Sequence, residues 1–357
     1  MVEKKKLAVL GLNQGWKFVT CLREESEALG AELAAVCDLA IAHNMPQNSP
    51  NVPVFDNYEK LFKEMEGKID GIVCALPNDL HLPVARIAAE MGLAVLMEKP
   101  IAGTLEDADE MVRLVNASKI PFMVGHHRRF SAGVNKVKEV IDSGALGRII
   151  AVNLLWALRK PDDYFDQKWR VTPGVGGPLL INVIHEIDTM RYLVGEIDSI
   201  HSFTSNFNRG FPVEDAGVIN IRFKNNALLS YMFSDGVPSK YAYELTAHED
   251  AWFHPMDRDV YYFFGDEGQL SFPSLKLTRY TKDCGGNNWS YPLYEEALPV
   301  PRYNPLKGEL ERIVQMMNGT GVSKCTAEDA TETLRWVEAI RESAATGKTI
   351  CMKDFNP

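Results

Sequence analysis

Short apolar runs recur through the first third of the chain: KLAVLG at 6–11, ELAAVC at 32–37, VPVF at 52–55, DGIVCAL at 70–76, LAVLME at 93–98 and PFMVG at 121–125. Between them lie segments such as YEKLFKEM, LPVARIAAEM and LEDADEMVRLVNAS. There the apolar positions fall three and four apart, the spacing of a helix with one buried face. A further helical stretch separates the first two runs and ends near Gly30. Strands alternating with helices predict βαβ units and a parallel sheet. The runs are apolar at nearly every position, as expected of strands covered on both faces. The pattern predicts a doubly wound Rossmann domain over residues 1–126.

The pattern changes after Phe130. FSAGVNKVKEVIDSGALG reads as a helix with a glycine stop, RIIAVNLLWAL at 148–158 as a long strand, and 178–194 as a helix. From 198 to 282 come alternating, aromatic-rich segments: SIHSFTSNF, AGVINIRF, ALLSYMF, AYELTAHE, VYYFFG, LSFPS and LKLTRY. Strands in succession without helices between them predict an antiparallel sheet. Helices return at 306–317 and 327–345, the second opened by Thr326 and closed by Gly347. Residues 127–357 thus read as an α+β substrate and oligomerisation domain with a large open, mostly antiparallel sheet, whose C-terminal helices can pack back on the Rossmann domain. A broad open sheet face invites association, so a second subunit is expected to cover it, in a homodimer or homotetramer.

Bulk properties narrow the function. A chain of 357 residues exceeds most single cores. The net charge is −10 and no basic stripe appears, which argues against a nucleic-acid partner. Lys4, Lys5 and Lys6 form a short solvated start to the first strand. No segment approaches the ~18 apolar residues of a membrane span. The N-terminal apolar stretch turns polar after Gly11, too short for a signal peptide, so a cytoplasmic location without a membrane partner is expected. None of the six cysteines stand at CxxC spacing, and Cys37 and Cys74 lie in strand-like runs as small hydrophobes. His248, Glu249, Asp250 and His254 match no zinc pattern and read as a surface loop, so no metal is expected.

The loop after the first strand is Gly11-Leu12-Asn13-Gln14-Gly15-Trp16. In a dinucleotide fingerprint, glycines let the backbone approach the pyrophosphate at a helix N-terminus. Here Gly11 is in place, Asn13 stands at the second position, and Gly15 falls one place early. Alone, this is equally an ordinary strand-to-helix turn. Asp38 strengthens the cofactor reading. It ends the second strand, where a carboxylate accepts from the ribose diol and repels a 2′-phosphate. No arginine follows it, so NAD is favoured over NADP.

Further on, ALPNDLH at 75–81, MEKP at 97–100, VGHHRRF at 124–130 and GGPLLINVIHEIDTMRYLVGE at 176–196 follow in order. On these motifs the chain resembles the Gfo/Idh/MocA family of sugar and inositol dehydrogenases, over nearly its whole length. The resemblance implies an NAD(P)-dependent oxidoreductase acting on CH–OH groups of a carbohydrate or polyol. It implies catalytic roles for Lys99 and His185, with Lys99 reaching the substrate hydroxyl and the nicotinamide ribose. Leu76, Asn78 and His81 would line the adenosine side, and Glu98 would lie beside the nicotinamide ribose. His126 and His127 would stand near the nicotinamide, His126 towards the substrate. Trp169 and Arg170 resemble an element near the nicotinamide, and Asp188 an acidic partner at the substrate. The family's aspartate four residues before the histidine is replaced by Ile181, leaving Asn182, three before, as the candidate third catalytic and substrate-binding group. Relatives that cleave glycosides through transient oxidation by bound NAD, and non-catalytic cofactor-binding regulators, are the alternatives.

The chemistry stands without the family. Oxidising an alcohol needs a base near neutrality, which histidine supplies with its ordinary pKa of ~6.5. It also needs a donor on the oxygen, which lysine supplies. Burial beside a positive ring would lower the lysine, which could then be the base itself. On α-helical spacing, Asn182, His185 and Thr189 share one face. Arg159, Lys160, Asp162, Asp163, Tyr164, Trp169 and Arg170 crowd the loop after the long strand; it reads equally as a sugar-binding loop, with Tyr164 a substrate contact, or as a solvated connection.

Overall fold

The computed structural model describes residues 3–40 and 51–355. The chain divides into two compact units, Met1–Phe130 with Asn304–Leu334, and Ser131–Tyr303 with Arg335–Pro357.

The first unit is built on β1 (Lys5–Leu10), β2 (Ala31–Cys37), β3 (Val54–Phe55), β4 (Gly71–Cys74), β5 (Ala94–Glu98) and β6 (Phe122–Gly125). These form one parallel sheet in the order β3-β2-β1-β4-β5-β6. The order reverses between β1 and β4, the switch point at which doubly wound sheets bind ligands outside their carboxyl ends. Every residue of β4, β5 and β6 is buried, which explains why their sequences lack alternation. The helix Leu12–Glu24 packs Phe18, Val19 and Leu22 into a core with Val9, Leu96 and Met123. The helix Pro305–Met317 supplies Leu310, Ile313 and Val314 to that same core, although it lies about 180 residues further on in a chain this long.

The second unit is built on β7 (Ile149–Ala157), β8 (Ile197–Ser205), β9 (Ala216–Phe223), β10 (Leu228–Ser234), β11 (Tyr261–Gly265), β12 (Gln269–Phe272), β13 (Lys276–Arg279), β14 (Tyr294–Ala297) and β15 (Ile350–Cys351). They form one mixed sheet in the order β14-β13-β12-β11-β7-β10-β9-β8-β15. All neighbours are antiparallel except β10 on β7. One face is buried through Val152, Leu154, Ile219, Ile221, Leu229 and Tyr231. The other leaves Val218, Leu228, Met232 and Phe203 exposed. The C-terminal helix lies along β8, where the Ser202 hydroxyl donates to the Ile340 carbonyl at 2.7 Å.

AYELTAHE, read as a strand, holds instead a short helix at Tyr243–Thr246. Tertiary packing overrides its strand propensity: the Tyr243 ring stacks on Phe272 at 5.5 Å, and Glu244 accepts from the Trp156 indole at 2.8 Å.

Candidate active site

In the first unit, the chain leaves β1 at Gly11 with φ of 86°. A Cβ there would stand 2.2 Å from the Ala75 carbonyl oxygen, so only glycine permits this turn. The turn is held by Gly11 N–H on the Cys37 carbonyl at 2.7 Å. Asp38 accepts from Leu12 N–H at 2.6 Å through one oxygen and from Ala40 N–H at 2.7 Å through the other. The carboxylate thus satisfies the first helical N–H and sits at the positive end of the helix dipole. Asn13 and Gln14 are exposed in that first turn, where helical N–H groups face outward. Gly15 performs the helix-to-strand packing of the fingerprint one place early: its Cβ would lie 3.0 Å from Val9 Cγ1. The register of the motif differs while the packing requirement is met, a match that spacing alone could not reveal.

The carboxyl ends of β4 and β5 are tied together by His81. Its Nδ1 lies 3.0 Å from the Pro100 carbonyl and its Nε2 3.0 Å from the Leu76 carbonyl. The ring is fully buried, and burial lowers its pKa, so it is a neutral imidazole. A neutral ring donates through one nitrogen only. With no exposed surface, His81 fastens the Leu76–Asn78 loop to the Lys99–Pro100 segment; the expected direct contact with a cofactor gives way to this positioning role. Leu76 is itself buried, while Asn78 is half-buried.

Lys99 follows β5 and is half-buried, with its N–H donating to Glu98 Oε2 at 3.2 Å. Burial raises the Glu98 carboxyl, and Lys99 and Lys17 pull it back. The unforeseen member of this group is Glu309, from the helix Pro305–Met317. It has no solvent exposure, and burial followed by repulsion from Glu98 pushes its pKa well above the ordinary carboxylate range. Both carboxyls are raised by burial, Glu309 further, so the pair disfavours carrying two negative charges. Its position in an otherwise amphipathic helix gave no signal in the sequence. His127 is held neutral by burial and then by Arg128, Lys99 and Lys17. Arg128 and Arg129 are buried, and Arg129 binds the Lys324 carbonyl at 2.7 Å and Asp329 at 3.3 Å, a structural anchor for the loop after β6.

In the second unit, the loop after β7 leads through Gly177 into a π turn at Leu179–Val183 and then the α-helix Ile184–Val194. Gly177 has φ of 85°, and a Cβ would stand 2.5 Å from Glu214 Oε1. That same oxygen accepts from Leu179 N–H at 2.8 Å, fixing the start of the turn. Glu186 is buried and accepts from the Tyr261 hydroxyl, which anchors the helix to the sheet.

The face expected for Asn182, His185 and Thr189 assumed α-helical spacing. The turn holding Asn182 is a π turn, with i→i+5 bonding, so that spacing does not apply to it. Thr189 is buried, its hydroxyl donating to the His185 carbonyl at 2.7 Å. His185 retains a small exposed edge, at 8%. Asp188 and His126 are each 1% exposed, which suits orienting groups and leaves no surface for the substrate contacts expected of them. Asn182 accepts from the Lys160 ammonium at 2.7 Å. Lys160 also lies 3.4 Å from Asp235 and 4.8 Å from the centre of the Tyr164 ring. Arg170 also stacks on the Tyr164 ring, its Cζ 3.8 Å from the ring centre, and donates to the Tyr164 carbonyl at 2.7 Å. Trp169 is 43% exposed, its indole donating to Gln167 at 2.9 Å. Within this largely exposed loop, Tyr164 is thus flanked by the cations of Lys160 and Arg170.

Two family models match the chain. An oxidoreductase-family model with an NAD-binding Rossmann fold covers residues 5–126, and a Gfo/Idh/MocA C-terminal domain model covers 134–271. A 1,5-anhydro-D-fructose reductase of Ensifer adhaerens is 27% identical over 285 residues, 78% of this chain and 79% of the relative. Two further curated relatives are matched over only 54% and 53% of their lengths. Among solved structures, an oxidoreductase from Thermotoga maritima superposes with a TM-score of 0.80 at 23% identity, covering 98% of this chain and 99% of its own. An Agrobacterium radiobacter oxidoreductase, in complex with NAD+, L-tartaric acid and magnesium, does so with a TM-score of 0.78 at 19% identity, again over 98% and 99%. No helix among the described residues is long and apolar enough to cross a membrane. The Rossmann sheet with its glycine turn, the H-x-x-D helix beyond it and both family models agree: this chain is an oxidoreductase of the Gfo/Idh/MocA family.

Proposed function

We propose that the protein is an NAD-dependent dehydrogenase or reductase acting on a hydroxyl-bearing carbon of a sugar, inositol or other polyol, with Lys99, His185 and Asn182 as its reacting constellation. The observation that carries this reading is the placement of Lys99 on the same carboxyl sheet edge as the Gly11 turn and Asp38. The residues there suit the dinucleotide. The exposed first turn at Asn13 and Gln14 offers N–H groups to a pyrophosphate. Asp38 offers acceptors to a ribose diol and repels the 2′-phosphate of NADP. Glu98, His127, Trp169 and Arg170 are the nicotinamide-side candidates, and Tyr164 a substrate contact.

When bound, NAD supplies the carbon that exchanges hydride with the substrate. In the oxidative direction His185 takes the hydroxyl proton as the carbonyl forms, and Lys99 donates to the oxygen as negative charge gathers on it. In reduction the same two groups act in reverse. The comparisons favour neither the glycoside-cleaving nor the regulatory alternative. Association through the open face of the nine-stranded sheet, into a homodimer or homotetramer, belongs to the same reading.

The test is spectroscopic. The purified protein is mixed with 1,5-anhydro-D-fructose and NADH or NADPH, and with a panel of aldoses, inositols and uronic acids and NAD or NADP, while reduced-nicotinamide absorbance is followed. Turnover with NAD(H) preferred is expected. No turnover on any member of the panel with either cofactor overturns the reading.

A further inference from the structure

Lys160 follows β7 and Asp235 follows β10. These strands form the parallel pair of the large sheet, so their carboxyl ends emerge side by side. Lys160 N–H donates to the Asp235 carbonyl at 2.9 Å, and the two side chains meet at 3.4 Å, both below one-tenth exposure. Asp235 is shared: Arg209 Nε donates to its other oxygen at 3.1 Å. With Asp235 shared between the buried Lys160 and the half-buried Arg209, the Lys160 ammonium has room for a further oxygen acceptor. For Lys160 that oxygen is Asn182 Oδ1, at 2.7 Å. The rings of Trp156 and Tyr164, 5.8 and 4.8 Å from the ammonium, exclude water around it.

An ammonium can only donate. The amide must therefore turn its oxygen to Lys160 and its NH2 group away. Among the described residues Nδ2 makes no hydrogen bond, although Asn182 is half-buried. We infer that Lys160 is a positioning residue that locks the Asn182 amide with its N–H groups outward, so that the site presents a hydrogen-bond donor, not an acceptor, to an acceptor oxygen of the substrate. This rests on the reading of Asn182 as a site residue. Asn182 is then no neutral copy of a carboxylate. It donates, and so suits a substrate oxygen that carries carbonyl or alkoxide character. The positive charge behind the amide strengthens its N–H donors. Burial brings the Lys160 pKa down to about 8, opposed by Asp235 and Glu244 and reinforced by Arg209. The lock therefore holds at neutral pH and opens above it.

Two measurements test this, the first without substrate. In the full-length protein labelled with 15N, the Asn182 side-chain amide, assigned by its loss in Asn182→Asp, is followed from pH 6 to 9. A shift with a midpoint near the Lys160 value, absent from Lys160→Met, is expected. An amide insensitive to pH and to Lys160→Met overturns the lock. The second uses whichever panel sugar is turned over fastest. Asn182→Asp keeps a partner for Lys160 but replaces donor by acceptor, and should lower kcat about 100-fold with little change in KM. Lys160→Met leaves Asp235 paired with Arg209 and should lower kcat about tenfold while removing an alkaline limb from the pH profile. Wild-type kcat and pH profile in both variants overturn the inference. If no sugar turns over, the functional reading fails, and the amide titration still decides the lock.

Discussion

At Asp38 one carboxylate closes the first turn of a helix and, in the proposed function, meets the adenosine ribose. The two roles separate by mutation. Asp38→Asn retains an acceptor for Leu12 N–H but removes the charge. It should narrow the preference for NADH over NADPH by about tenfold, read by fluorescence titration, with little loss of stability. Asp38→Ala removes the cap as well and should cost about 1 kcal/mol in urea unfolding. In the proposed function Lys99 and His185 divide the chemistry, and mutation tests that division. Lys99→Met should lower kcat/KM about 1000-fold, and His185→Ala should abolish the acidic limb of the kcat/KM profile. If the acidic limb survives in His185→Ala and vanishes in Lys99→Met, the base is the lysine.

At the scale of elements, helix starts decide where the chemistry points. The π turn at Leu179–Val183 begins where Leu179 N–H meets Glu214, directly over Gly177. Gly177→Ala would bring a Cβ within 2.5 Å of that carboxylate at a φ that alanine resists. It should destabilise the protein by roughly 1–3 kcal/mol in urea unfolding and lower kcat, because the turn carries Asn182. The tie between strand ends works similarly. His81 is buried between the loops after β4 and β5, with a ring nitrogen 3.0 Å from a carbonyl of each, and its single N–H bonds one while the ring packs against the other, which helps set where Lys99 leaves the sheet.

At the scale of the whole molecule, two properties stand out. The first is the buried Glu98–Glu309 pair. An acid whose pKa is raised on folding costs nothing where the unfolded acid is also protonated. The cost grows as pH rises above the unfolded value, ~4.3, towards the folded one. Glu309→Gln removes that cost, so it should raise Tm at pH 8 and change it little at pH 4. The second is the open face bearing Phe203, Val218, Leu228 and Met232. If it is the proposed interface, Leu228→Lys with Val218→Lys should shift the sedimentation coefficient to that of a 40.0 kDa monomer without altering the circular dichroism spectrum.

The sequence by itself determined the alternation of strands and helices in the first unit, the run of strands in the second and the candidacy of Lys99, His185 and Asp38. Those features are written in local periodicity and motif spacing, which the backbone must obey wherever it folds. Only the tertiary structure decided that Gly15 packs on Val9, that residues 243–246 coil into a helix, that His81 lies buried between two loops, and that Glu309 is buried beside Glu98 in the first unit. It also decided what Asn182 can do. Lys160, Asn182 and Asp235 are scattered over 76 positions of sequence; Lys160 meets Asp235 because β7 and β10 pair in parallel, and the turn at Leu179–Val183 brings Asn182 to Lys160. Hydrophobic periodicity records which face of an element is buried, but not which distant strand end will stand beside it.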